Sequence, residues 1–138
     1  MARPILARAT KGRFVTKSLH RDKIVVDRAT GLMWQQGTSA QQMSHRGARA
    51  WIDELNRHGF AGFNDWRLPT LAEALTLLEP SPNPEGVYID SVFMARRRLW
   101  MWTSERGDTE TAWYVNFNYG YSQLNRINTS YNCVCAVR

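Results

Sequence analysis

The stretch Gly59-Phe60-Ala61-Gly62-Phe63-Asn64-Asp65-Trp66-Arg67-Leu68-Pro69-Thr70 stands between two helical patterns and decides how the rest of the chain is divided. Upstream of it, Ala48, Trp51, Ile52 and Leu55 recur at i, i+3, i+4 and i+7. The spacing predicts a helix from about Ser44 to His58, with Gly59 where a C′ glycine belongs. Downstream, Thr70-Leu71-Ala72-Glu73 has capping-box spacing, and Leu71, Ala74, Leu75 and Leu78 supply an apolar stripe that Pro80 ends. Prolines at 80, 82 and 84 then forbid helix and mark residues 79–86 as a loop.

Outside this helical centre the chain reads as short strands. Ile24-Val25-Val26, Leu32-Met33-Trp34, Trp100 to Thr103, Ala112 to Asn118 and Cys133 to Val137 are rich in β-branched and aromatic residues, and turn signals separate them. Strands, two grouped helices, then strands again predict an α+β fold with short, mostly antiparallel strands, because no βαβ alternation is present. Along Trp113 to Asn118 the alternation places Trp113, Val115 and Phe117 inward and Tyr114, Asn116 and Asn118 on a wet face.

The chain has 138 residues, enough for one compact domain without a disulfide scaffold. With a mean hydropathy of −0.46 and no apolar run near the roughly 18 residues of a span, a transmembrane helix is excluded. The net charge of +6 is local: residues 1–23 carry seven basic side chains and one acid, while the remainder is balanced. The pI of 9.8 therefore reports a basic N-terminal arm, placed at residues 1–11 before a single domain at 12–138. Contact with nucleic acid or an anionic surface is expected through that arm only. Pro4-Ile5-Leu6-Ala7 is too short for a secretory h-region of about 7–15 residues, so no signal peptide is expected and the protein is placed in the cytoplasm or on a virion. Cys133 and Cys135 share a strand face in poor geometry for a mutual disulfide. Two sulfurs alone make a weak metal site, so neither cofactor nor metal is expected.

Several blocks form a family pattern. Asp27-Arg28-Ala29-Thr30-Gly31-Leu32-Met33-Trp34-Gln35, Ala50-Trp51 with Leu55-Asn56, and the Gly59 to Thr70 block resemble the C-terminal domain family of bacterial collagen-like adhesins. Tyr88-Ile89-Asp90, Val92-Phe93, Trp102-Thr103-Ser104, Trp113 to Phe117, Gly120 and the closing Val137-Arg138 follow in the right order. The resemblance covers about Gly12 to Arg138 and implies a C-type-lectin-like fold, related to the formylglycine-generating-enzyme group, in which the motif residues are scaffold. On that view Trp34, Trp51, Trp66, Trp102 and Trp113 are core anchors, and Asn64-Asp65 are turn and cap residues. The family's closing Val-Arg-Cys-Val-Arg is here Val134-Cys135-Ala136-Val137-Arg138, with the cysteine one position earlier. The Glu-Pro-Asn and Trp-Asn-Asp motifs of calcium-dependent sugar binders are not matched by Pro82-Asn83-Pro84 and Asn64-Asp65-Trp66.

Function is expected in residues 113–132, which hold four of the five tyrosines and five of the eight asparagines. Rigid amphipathic rings among adaptable amides and hydroxyls are the chemistry of paratopes. Tyrosines are not turn formers, so an ordinary hairpin accounts less well for the cluster. The expected ligand-binding residues are Asn116, Asn118, Tyr119, Tyr121, Ser122, Gln123, Asn125, Arg126, Asn128, Thr129, Ser130 and Tyr131. The resemblance extends to variable proteins of diversity-generating retroelements, which place their mutated segment in this region of a lectin-like fold. The leading expectation is thus a phage or bacterial recognition module for a macromolecular ligand, protein or surface glycan. A polysaccharide- or glycosaminoglycan-binding adhesin domain is the alternative. A formylglycine-generating-type enzyme comes third, because Cys133 and Cys135 have no base nearby in sequence. The domain is therefore expected not to be an enzyme.

Overall fold

The computed structural model describes residues 12–94 and 98–138, so the expected arm at residues 1–11 lies outside the described residues. Strands β1 (Phe14–Leu19), β2 (Asp22–Asp27) and β3 (Met33–Gln35) form one antiparallel sheet in the order β1-β2-β3. Helices α1 (His45–His58) and α2 (Leu71–Leu75) follow, separated by a 3₁₀ turn at Phe60–Gly62. Strands β4 (Trp100–Arg106), β5 (Thr111–Asn116) and β6 (Tyr121–Arg126) form a second antiparallel sheet in the order β4-β5-β6. The architecture is the expected α+β arrangement of short antiparallel strands with two helices.

Both helix starts follow the sequence signals. The Ser44 side chain accepts from the Gly47 amide at 3.2 Å, and α1 stops at Gly59, whose φ of 68° suits a residue without Cβ. At α2 the Thr70 hydroxyl accepts from Glu73 N at 3.1 Å while Glu73 Oε1 accepts from Thr70 N at 2.9 Å, closing the capping box. Arg67 grips the same carboxylate at 2.7 and 2.8 Å.

Residues 133–137 are extended, but they are not the regular strand expected. They make isolated bridges to three different places, Met101 with Cys133, and Trp34 and Arg67 each with Val137. This segment is the wall between two cores. Cys133, Cys135 and Val137 enter one apolar cluster with Trp34, Met101, Val115 and Phe117. Val134 and Ala136 enter the other with Trp66, Trp102, Tyr114 and Ile52 of α1. The period-2 alternation of an extended chain assigns successive side chains to opposite cores. Both cysteines are buried thiols on one face and outside any disulfide, and burial pushes the Cys135 thiol well above its ordinary value, which disfavours the thiolate.

Two tryptophan expectations need correction. Trp34, Trp66 and Trp102 are buried, whereas Trp51 and Trp113 are only half-buried. The alternation along β5 is also misassigned: Ala112, Tyr114 and Asn116 are buried along with Val115 and Phe117, because both faces of this central strand are covered.

The family blocks prove to be fasteners. Asp27 receives Arg13 through two bonds of 2.8 Å, in a pair whose side chains are 5% and 0% exposed. It also accepts from Ala29 N at 3.0 Å and from the Thr30 hydroxyl at 2.9 Å. Asn56 and Trp66 exchange two bonds of 2.8 and 2.9 Å, which tie the end of α1 to the start of the next extended segment. Asp65 is not a turn cap. It holds the closing Arg138 at 2.6 Å, and the Arg138 guanidinium lies 3.7 Å from the Phe63 ring centre.

Candidate recognition surface

The β5–β6 connection is built around one buried amide. Asn116 has no exposed surface; its Oδ1 accepts from Asn118 N at 3.0 Å and Tyr119 N at 3.1 Å, and its Nδ2 donates to the Tyr121 hydroxyl at 3.2 Å. Gly120 follows with φ of 81°, a region that favours glycine, and its N–H returns to Asn116 O at 2.8 Å. Asn116 was expected to contact ligand; its burial makes it the clamp of the turn instead. Asn116→Ala removes three hydrogen bonds and leaves the turn's two backbone donors without their shared acceptor, so it should cost about 1–3 kcal/mol in a denaturant melt.

The clamp drives Tyr119 outward. Its side chain is 70% exposed and stacks on Tyr121 with ring centres 6.4 Å apart and planes within 9°. Asn118 is half-buried, with Oδ1 accepting from Leu99 N at 2.8 Å. On the same sheet face, Trp100 stacks on Tyr114 at 5.6 Å, and the Arg98 guanidinium lies 3.9 Å from the Trp100 ring centre. Tyr114 donates to Gln123 Oε1 at 3.3 Å. A row of aromatic faces thus runs from Arg98 and Trp100 through Tyr114 to Tyr121 and Tyr119.

The two ends of this row, Arg98 with Trp100 and Tyr119, border a cleft of about 600 Å³ whose lining also includes Gln41, Gln42 and Asn118, while Tyr114 between them is buried. Arg98 bonds Gln42 and, at 3.4 Å, Asn132 Oδ1, both neutral. Among the described residues it has no carboxylate partner. The cleft therefore offers one cation, several amides and two aromatic faces.

Strand register separates the remaining expected residues. Tyr121, Gln123 and Asn125 pair with Asn116, Tyr114 and Ala112 and share their face; Ser122 and Arg126 pair with Val115 and Thr111 and point the other way. Arg126 is engaged with Glu110 at 3.0 Å, both side chains well exposed. Beyond β6, Thr129 and Tyr131 are exposed and Ser130 is half-buried, while Asn128 lines a different groove beside α1. The structure thus gathers Asn118 and Tyr119 at one cleft, with Tyr121 stacked behind Tyr119, and distributes the others around the hairpin. Arg98, Trp100 and Gln42 were missed by sequence reasoning. The i, i+2 spacing of Arg98 and Trp100 before a strand was the available signal for the first two.

His45 is structural. It is buried, with Nε2 2.9 Å from Thr103 O and its ring edge-on to Trp102 at 5.0 Å. Burial first, then the nearby positive charges of Arg106 and Arg49, hold its pKa below the ordinary histidine value, although the Thr103 bond opposes them. The unfolded chain binds this proton more readily than the folded one. Stability is therefore expected to fall as pH drops below about 6.5, and His45→Gln should flatten that limb of a pH–stability profile. Among the described residues, no three His, Cys, Asp or Glu side chains are grouped so as to hold a metal ion. No described helix is long and apolar enough to cross a membrane.

A search of curated proteins finds no match. The family model of the Lcl C-terminal domain matches residues 23–138, a span containing the Asp27–Gly31 turn, the Asn56–Trp66 staple, the Asp65–Arg138 pair and the whole β4–β6 sheet. With that match covering well over half its length, the chain belongs to the Lcl C-terminal domain family.

Proposed function

We propose that this domain is a non-catalytic recognition module of C-type-lectin-like type, which displays the β5–β6 hairpin and its adjoining cleft to a macromolecular ligand. Membership of the Lcl C-terminal domain family is consistent with an adhesin-like recognition module. The observation that carries the reading is the separation of roles within one segment. Asn116 and Phe117 are buried and hold the turn, while Tyr119 and Tyr131 are 70% and 55% exposed and Tyr121, 41% exposed, gives the clamp only its hydroxyl, which accepts from Asn116 Nδ2. Exposed aromatic rings held by a rigid scaffold give contact area at low entropic cost.

A surface of this kind suits replacement, and on this reading the protein is a phage or bacterial variable protein of the diversity-generating retroelement class. The test is a displayed library randomised at Tyr119, Tyr121, Gln123, Asn125, Asn128 and Tyr131. Most members should remain protease-resistant, and selection against hen lysozyme as an arbitrary target should yield binders. A library that is mostly unfolded would overturn the reading.

Arg98 favours the polysaccharide-binding adhesin as the second reading. A guanidinium stacked on Trp100, with no acid among the described residues that line its cleft, is suited to a carboxylate or sulfate beside a sugar ring. Binding to heparin or hyaluronan that is lost in Arg98→Gln and Trp100→Ala, and retained in Arg126→Gln, would support it. Unchanged binding in the first two variants would count against it.

A further inference from the structure

A second concave surface lies away from the aromatic cleft. Two grooves, of about 600 and 490 Å³, share Arg49, Asp53 and Arg106 in their linings and so form one continuous depression beside α1. Ser104 lines one arm; Arg46 and Asn128 line the other. Arg46, Arg49 and Arg106 have exposed side chains and no carboxylate partner among the described residues. Arg106 is held by backbone carbonyls alone, of Thr109 at 2.8 Å and Thr111 at 3.3 Å, which fixes its guanidinium without neutralising it.

The helix bears an independent sign of the same deficit. The first turn of α1 contains no acidic residue, although the positive end of a helix dipole favours one, and Arg46 stands there with Arg49 at the start of the next turn. The buried His45 in that turn carries no compensating negative charge. Three guanidinium groups and the first turn of α1 line one depression in which Asp53 is the single carboxylate among the described residues, so the lining keeps a positive charge that an anion would neutralise.

We propose that this depression is a binding site for a tetrahedral oxyanion ester, phosphate or sulfate, on a hydroxyl-bearing carrier. Arg46, Arg49 and Arg106 grip the anion, and Asp53 accepts a hydrogen bond from a neighbouring hydroxyl. Asp53 makes no ion pair among the described residues and lines both arms. A carboxylate there repels a bare dianion but rewards an anion that brings a donor with it. The concave, hydroxyl-bearing lining suits an ester of this size better than a flat acidic protein surface. The site is distinct from the hairpin cleft and does not depend on it.

The full-length protein would be titrated with inorganic phosphate, inorganic sulfate, glycerol 2-phosphate and glycerol 2-sulfate in low-chloride buffer, following backbone amides by NMR. Amides of residues 46–49 should shift saturably, and the esters should bind more tightly than the inorganic ions. The tighter of the two esters identifies the carrier chemistry. Arg49→Gln with Arg106→Gln should weaken binding at least tenfold while leaving the melting temperature within a few degrees, and Arg49→Lys should lose less. Asp53→Asn should strengthen inorganic phosphate binding and abolish the preference for the ester. Tyr119→Ser with Tyr121→Ser should change nothing. Equal titration of the double arginine variant and the parent would overturn the proposal. So would a response abolished only by neutralising Arg3, Arg8 and Lys11, or binding to poly-glutamate without any response to the esters.

Discussion

Arg13→Ala is expected to destabilise the domain by about 3–5 kcal/mol, because it leaves the Asp27 carboxylate buried without its partner. The cost is that of an unpaired buried charge and exceeds what the intact pair contributes. Arg13 also donates to Thr76 O at 3.1 Å, so the same change loosens the end of α2 against the first sheet. Burial raises the pKa of Asp27, but bonds from Arg13, Thr30 and Ala29 outweigh it and leave the pKa below the ordinary carboxylate value. The stability that Asp27 contributes is therefore present above that ordinary value and lost as pH falls through the lower folded-state pKa. Equilibrium urea melts of Arg13→Ala and Asp27→Asn, alone and combined, measure the coupling. Single changes costing under about 1 kcal/mol would show the pair to be solvated.

Trp66→Ala is expected to cost a similar 3–5 kcal/mol by truncating a buried aromatic. Trp66 is 2% exposed, takes the edges of Phe60 and Phe63 at 5.4 and 6.4 Å, and donates from Nε1 to Phe60 O at 2.9 Å. Its backbone is stapled to Asn56, so the cavity cannot close by a simple shift of the chain. Tyr119→Ala, at 70% exposure, should cost well under 1 kcal/mol in the same melt. Comparable losses in the two variants would contradict the division between scaffold and display surface.

The parts of this fold that were legible in the sequence are those specified locally. Ser44, Thr70 and Glu73 announce both helix starts and Gly59 the end of α1 through bonds to residues three or four positions away, whereas α2 stops at Leu75, short of the Leu78–Pro80 end that its apolar stripe suggested. Non-local terms were hidden. Arg13 lies in a run of basic residues that reads as solvated charge, and only the fold brings Asp27, fourteen positions on, to bury it. The alternation of β5 suggested one wet face, but residues from α1 and the C-terminal segment cover that face, so Tyr114 and Asn116 are inside. Strand β6, Tyr121–Arg126, lacks an apolar alternation because it is an edge strand with little to bury, and it was not anticipated. The candidate site was legible as a composition of Tyr, Asn and Ser. Its geometry was not, since Arg98 and Trp100 reach the cleft from another strand and Asn116 turns inward.

The central claim is that the exposed hairpin side chains serve contact and not folding. Its most direct measurement is the thermal melt, by circular dichroism, of a variant carrying serine at Tyr119, Tyr121, Gln123, Asn125, Asn128 and Tyr131 together. Cooperative unfolding within a few degrees of the parent is expected, because the turn is held by Asn116 and Gly120 and the sheet by Tyr114, Val115 and Phe117. A variant that fails to fold, or melts without cooperativity, would show that these residues belong to the core and that the recognition surface lies elsewhere.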